Sequence, residues 1–136
     1  MLMDTGGNSG SQASVTIIRA LTLGEIEFRD LPRVIWKEIR TAVLCGVALA
    51  AVCFVKVILI DRLLLNNPDV TVTVAAAVCV TIALTVLIAK IVGCTLPIAA
   101  KQLGFDPAVM ASPFITTIVD AVSLLVYFAI ASALLF

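Results

Sequence analysis

Residues 70–92 read Val-Thr-Val-Thr-Val-Ala-Ala-Ala-Val-Cys-Val-Thr-Ile-Ala-Leu-Thr-Val-Leu-Ile-Ala-Lys-Ile-Val. In water so many β-branched residues would favour a strand. The run is too long for one, and an open sheet edge has no partner in lipid, where every backbone polar group must be satisfied internally. It is also long enough to cross a bilayer, which takes about 20 mostly apolar residues. The stretch therefore predicts a membrane-spanning helix, and the rest of the chain follows suit. It is 62% hydrophobic and 13% charged, with a mean hydropathy of +1.18. A water-soluble surface needs more polar residues than that.

Two further runs have the same character. The expected architecture is an all-α membrane protein in one transmembrane domain, residues 1–136. Three full spanning helices cover 41–62, 70–95 and 106–136, and a partial spanning helix covers 1–26. Pro68, after Asn66 and Asn67, stops any helix between the first two full spans. Gly93, Pro97 and Gly104 predict a break after the next. Asp106-Pro107 and Ser112-Pro113 each pair an N-cap residue with a proline at the first helical position. They predict a short turn after Asp106 and a long helix from Pro113. Lys56 and Lys90, near span ends, read as lysines reaching for the headgroups, and Trp36 reads as an interfacial aromatic.

The start of the chain is polar and glycine-rich after Met1-Leu2-Met3, which is not the pattern of a cleavable signal. Those three residues read as the stump of a longer apolar stretch. Gly6, Gly10 and Ser14 fall four apart, a small-residue face that lets helices approach closely. Arg29, Arg33, Lys37 and Arg40 crowd the first connection, whereas the turn between the next two spans holds Arg62 alone. The excess of positive charge predicts that the first connection is cytoplasmic and that the C-terminus points outside. Glu25, Glu27 and Asp30 in that connection read as a solvated group bridged to Arg29 and Arg33.

Several function classes fall away. Net charge is zero and no basic patch is interleaved with aromatics, so nucleic acid is not an expected partner. There is no histidine, the commonest general base and metal ligand. Cys45, Cys53, Cys79 and Cys94 form no CxxC pair and read as small buried hydrophobes. Asp4-Thr5-Gly6 matches the tripeptide of aspartic proteases, but that chemistry needs two carboxylates sharing a proton on a loop-rich β framework. No enzyme is expected.

What remains is Asp120. It lies seven residues into the helix from Pro113, or roughly 10 Å at 1.5 Å per residue. A carboxylate in that position costs about 2.5–3.5 kcal/mol on insertion scales. Water, a cation, protonation or a bond to a neighbouring helix must offset the cost. Thr116, Thr117, Ser123 and Tyr127 lie on the same side of the helix, and the other sides are apolar. One polar stripe on such a helix reads as a cavity lining. Thr5, Asn8, Gln12 and Thr16 form a second stripe on the first helix. The candidate metal-contacting residues are therefore Asp120, Asn8, Gln12, Thr116 and Ser123. They form an all-oxygen, weakly charged set of the kind that hard cations such as magnesium prefer. Magnesium sheds water reluctantly, so such a set suits a hydrated ion.

Three stretches together resemble the membrane domain of the MgtE family of magnesium channels. They are Gly6-Gly7-Asn8-Ser9-Gly10-Ser11-Gln12 with Arg19-Ala20-Leu21-Thr22-Leu23-Gly24-Glu25, then Leu103-Gly104-Phe105-Asp106-Pro107-Ala108, then Pro113 to Asp120 continuing into Tyr127-Phe128. The resemblance implies a homodimer in the cell membrane with five spans per subunit. Its second and fifth spans line a pore on the two-fold axis. Residues 1–26 match the inner part of the second span, and Asp120 matches the pore carboxylate of the fifth. The family's first span and its cytoplasmic regulatory domains have no counterpart in this sequence. The expected function is passage of hydrated Mg2+ down its gradient, with manganese, cobalt, nickel and calcium not separated from it by the residues alone. Two alternatives stand beside it: a non-conducting fragment serving assembly, and a proton-coupled exchanger in which Asp120 titrates.

Overall fold

The structure, a computed structural model, describes residues 2–64, 66–67, 71–110 and 112–135. Pro68, Asp69 and Val70, which the sequence places in the turn and at the start of a span, lie outside the described residues. So does the side chain of Ser112, one of the two expected caps. The described residues form a bundle of four helices and no strand: α1 (Leu2–Thr22), α2 (Leu31–Lys56), α3 (Val72–Gln102) and α4 (Ser112–Leu135). The helical reading holds over residues 72–92. Three helices, α2, α3 and α4, are long and apolar enough to cross a bilayer.

Local chemistry sets the ends. α1 stops at Gly24, whose φ of +71° is open to glycine. The amides of Glu25 and Gly24 turn back to the carbonyls of Ala20 and Leu21, so the last turn keeps its acceptors satisfied. α3 ends the same way at Gly104, φ +83°, with Phe105 bonded to Ala100 and Gly104 to Lys101. Thr71 caps the start of α3, its hydroxyl accepting from the Val74 amide at 3.3 Å. Asp106 accepts from the Ala108 amide at 2.9 Å and opens a single 3-10 turn, Pro107–Met110, before α4.

Several boundaries differ from the hydropathy reading. α2 begins at Leu31, well before the apolar span near Thr41, because proline fits its first turn and a charged helix outside the apolar run leaves no hydropathy signal. Its far end widens into a π-helical stretch, Val57–Leu64. α3 passes through Gly93 and Pro97, where a break was expected. Proline costs a helix one amide donor and crowds the carbonyl four residues back, here that of Gly93. In a membrane bundle such a proline is tolerated because neighbouring helices help satisfy the freed backbone groups. Pro97 is buried among those helices.

α3 is the hub and touches the other three helices. Against α1 the contact is backbone on backbone. A Cβ on Gly93 would collide with the Gly10 carbonyl oxygen, and one on Gly10 would stand 3.1 Å from the Ala89 carbonyl oxygen. Ala13, Ile17, Leu21, Cys94 and Ile98 continue that seam. Ser14 is fully buried, so Gly6, Gly10 and Ser14 form the packing face that their spacing predicts. Lys101 reaches across to donate to the Leu21 carbonyl at 3.1 Å, a cation on the exposed end of α1. Gly46 of α2 faces Ala83, and Cys53, Val57, Ala75 and Ile82 pack beyond it. Ala89, Ile115 and Val119 join α3 to α4.

The charged groups are placed differently from expectation. Lys90 is held against a neighbouring helix rather than left exposed. Its side chain is 11% exposed and pairs with Glu38 of α2 at 3.0 Å. That is about 18 Å from the end of α3 at 1.5 Å per residue. Lys56 pairs with Asp61 at 2.7 Å near the bundle's rim. Among the described residues no ion pair joins Glu25, Glu27 or Asp30 to Arg29 or Arg33; Asp30 instead accepts from the Glu27 amide. Cys53 and Cys94 are buried as expected, but Cys45 is exposed on the outer face of α2.

Two measurements check this packing. Gly93→Ala should lower stability in detergent by about 1–3 kcal/mol, as overpacking does, and by more than Gly46→Ala, whose nearest neighbour stands at 3.3 Å. Equal losses in thermal unfolding would remove the close α1–α3 approach. Lys90→Met should cost about 3–5 kcal/mol by stranding Glu38, and Lys90→Met with Glu38→Leu should recover most of it.

Candidate functional site

The site grows out of the contact between α1 and α4. The Thr116 and Thr117 hydroxyls both donate to the Pro113 carbonyl, at 3.0 and 2.9 Å. This back-bonding leaves the Thr116 methyl toward α1, 3.1 Å from where a Cβ on Gly7 would stand. One turn on, Asp120 Oδ1 is 3.4 Å from the same point. Gly7 therefore holds α1 close enough to cover one carboxylate oxygen. That oxygen is buried and has no hydrogen-bond partner among the described residues. The residue as a whole is half-buried, so the carboxylate sits at the edge of the contact.

Packing also sets its depth. Gly7 is fifteen residues before Thr22, or about 22 Å from that end of α1. Counting from the start of α4 suggests only about half of that. The difference arises because α4 starts partway along the bundle, level with Gly10, which touches Ile115. The 3-10 turn before it packs against α1 and α3 and carries the chain to that level.

The other sequence candidates divide. Thr116 shares the Gly7 contact with Asp120. Asn8, the next residue of α1, is exposed, and so are Gln12 and Thr16 further along the same side. Asn8 donates to Asp4 at 3.2 Å, and the Thr16 hydroxyl donates to the Gln12 carbonyl at 2.9 Å. These residues lie opposite the buried face of Gly6, Gly10 and Ser14, on the outside of the bundle. Ser123 is apart from them. It is 2% exposed, gives its proton to the Val119 carbonyl at 2.6 Å and faces Gly6. Tyr127 packs edge-on against Phe128.

Two residues of this region were not singled out by sequence. Gly7 is masked in the glycine-rich run by the more regular spacing of Gly6 and Gly10. Thr85 of α3 lies behind Gly6, with a buried hydroxyl oxygen that has no partner among the described residues. A threonine in an apolar run carries no signal that would single it out.

Chemically the arrangement is spare. Among the described residues no three acidic or thiol side chains gather to strip and hold a metal ion. A single carboxylate with a threonine beside it favours a cation that keeps its water. An exposed polar stripe on an apolar bundle must meet water or another polar surface.

Comparison with known proteins identifies the family. The MgtE family profile, described as a divalent cation transporter, matches residues 1–130. The chain is 36% identical over 135 residues to a protein of Thermus thermophilus named magnesium transporter MgtE. It is 34% identical over 133 residues to the Bacillus subtilis protein of that name and 30% over 132 to that of Enterococcus faecalis. These alignments cover 97–99% of this chain but only 27–28% of the relatives, so the chain spans little more than a quarter of their length. On the extent of that match, this chain belongs to the MgtE family of divalent cation transporters.

Proposed function

We propose that this chain is the membrane domain of a magnesium transporter, and that two copies enclose a pore lined by α1 and α4. Hydrated Mg2+ is the transported substrate, and it passes between the Asp120 carboxylates of the two copies. The observation that carries this reading is the side on which the polar groups lie. Asn8, Gln12 and Thr16 are exposed on the outside of the subunit, next to the contact that holds Asp120. Facing lipid they would be costly. Facing a second copy across a water-filled axis they are solvated. The names of the relatives supply the ion.

The physical chemistry fits a weak, passing contact. Mg2+ holds its waters in a near-octahedral shell and is commonly bound through one or two carboxylates with several waters kept. One Asp120 from each copy supplies two carboxylates. Neutral oxygens from Asn8, Gln12 and Thr116 accept from the ion's water shell without adding charge that would trap it. Ser123, turned into the α1–α4 contact, supports the helix rather than the ion. The connection with Arg29, Arg33, Lys37 and Arg40 faces the cytoplasm, and the C-terminus faces outside, in a cell membrane.

The test is magnesium flux into liposomes that carry the purified chain and an internal magnesium-sensitive dye. Asp120→Asn should cut flux by about tenfold or more, the scale of losing one differential charge contact, while the circular dichroism spectrum keeps its helical form. Flux equal to that of the unaltered chain would remove Asp120 from the pathway. Flux that follows a pH gradient instead would favour exchange with protons.

A further inference from the structure

Where α1 ends and α2 begins, the bundle holds an open crevice of about 370 Å3, within the range of about 300–1,000 Å3 usual for small-molecule sites. Its polar lining is Thr16, Arg19 and Glu25 on one side, Lys37 and Glu38 on the other. Ile17, Leu23 and Val34 form an apolar wall. Glu38 is already engaged by Lys90. Arg19 and Lys37 make no ion pair among the described residues, and neither does Glu25. The crevice thus presents two uncommitted cations and one uncommitted carboxylate, an excess of one positive charge.

Its position narrows the ligand. Arg19 is in the last turn of α1 and Lys37 is in the second turn of α2. Both mark the level at which the apolar part of the bundle ends. Trp36, beside Lys37, is 64% exposed, as an aromatic at the headgroup level would be. A soluble anion has no use for the apolar wall. A lipid has a charged head and an apolar tail joined at this depth, and basic pockets between spans on the cytoplasmic side suit phospholipid headgroups.

We propose that this crevice binds an anionic glycerophospholipid, with its phosphodiester between Arg19 and Lys37 and an acyl chain along Ile17, Leu23 and Val34. The guanidinium fork of Arg19 matches two phosphate oxygens, and the Lys37 ammonium serves as a point charge. A lipid with one net negative charge balances the crevice, whereas a zwitterionic one leaves its excess charge in place. The site does not include Asp120, so it stands whether or not the chain conducts.

Native mass spectrometry of the detergent-purified chain tests it, with phosphatidylglycerol and phosphatidylcholine of the same acyl chains offered at equal concentration. Retention of phosphatidylglycerol should exceed that of phosphatidylcholine by about fivefold, the factor for one net charge near a membrane surface. Arg19→Gln with Lys37→Gln should bring the ratio close to one, and Arg19→Lys alone should keep most of it. Equal retention of the two lipids by the unaltered chain would overturn the proposal, and so would an unchanged ratio in the double variant. Displacement of the lipid by inorganic phosphate at millimolar concentration would show a soluble-anion site instead. If the double variant does not fold, salt titration of the unaltered chain decides, because a preference indifferent to ionic strength is not held by these two cations.

Discussion

The bundle depends on how closely backbones approach at α1. Without a hydrophobic driving force between helices in lipid, association rests on van der Waals contact and interhelical hydrogen bonds. Gly10 against Gly93 brings α1 and α3 together at a distance that no side chain allows. Gly6 and Gly7 do the same toward α4, and their reward is specific. Gly7 covers one oxygen of Asp120, and Gly6 receives Ser123 and Thr85. The glycine-rich run is therefore both the adhesive of the bundle and the reason that a carboxylate sits at the edge of a helix contact.

Charge is distributed by the same economy. The rim pair, Lys56 with Asp61, is partly in water and costs little. The inner pair, Lys90 with Glu38, is desolvated on both sides and ties α2 to the hub helix. A buried pair is weak as a source of stability but intolerant of losing one member. Ala42, Gly46 and Cys53 are the buried residues of α2 among those described, and this polar contact adds to their packing against α3. Asp120 differs from both pairs because no cationic side chain of the described residues reaches it.

Much of the fold is legible in the sequence. The spans around residues 70–92 and after Pro113 declared themselves by length and hydropathy, and Gly24 and Gly104 sit where glycines end helices. The beginning of α2 was not legible, because a helix that protrudes from the apolar zone has no hydropathy signal. Pro97 misled for a related reason: its effect on a helix depends on what surrounds it. Lys90 looked like an anchor because a lysine near a span's end usually is one, and only the arrival of Glu38 from another helix says otherwise. Of the candidate site, Asp120 stood out as a lone carboxylate in an apolar run. Its neighbours on α4 were chosen by helical periodicity alone, which cannot tell the open side from the packed side. Thr116 lies beside Asp120 against Gly7, and Ser123 faces into the bundle.

By itself the sequence determined that the chain is helical and belongs in a membrane, because apolar length and the need to satisfy backbone hydrogen bonds are properties of the chain in its solvent. It also determined that an acidic group enters that solvent. Only the tertiary structure decided how deep that group lies, which oxygen is covered and which polar residues are left outside. Depth and exposure are set by where α4 starts against α1. That register comes from glycine contacts between segments over a hundred residues apart, and no local pattern encodes it.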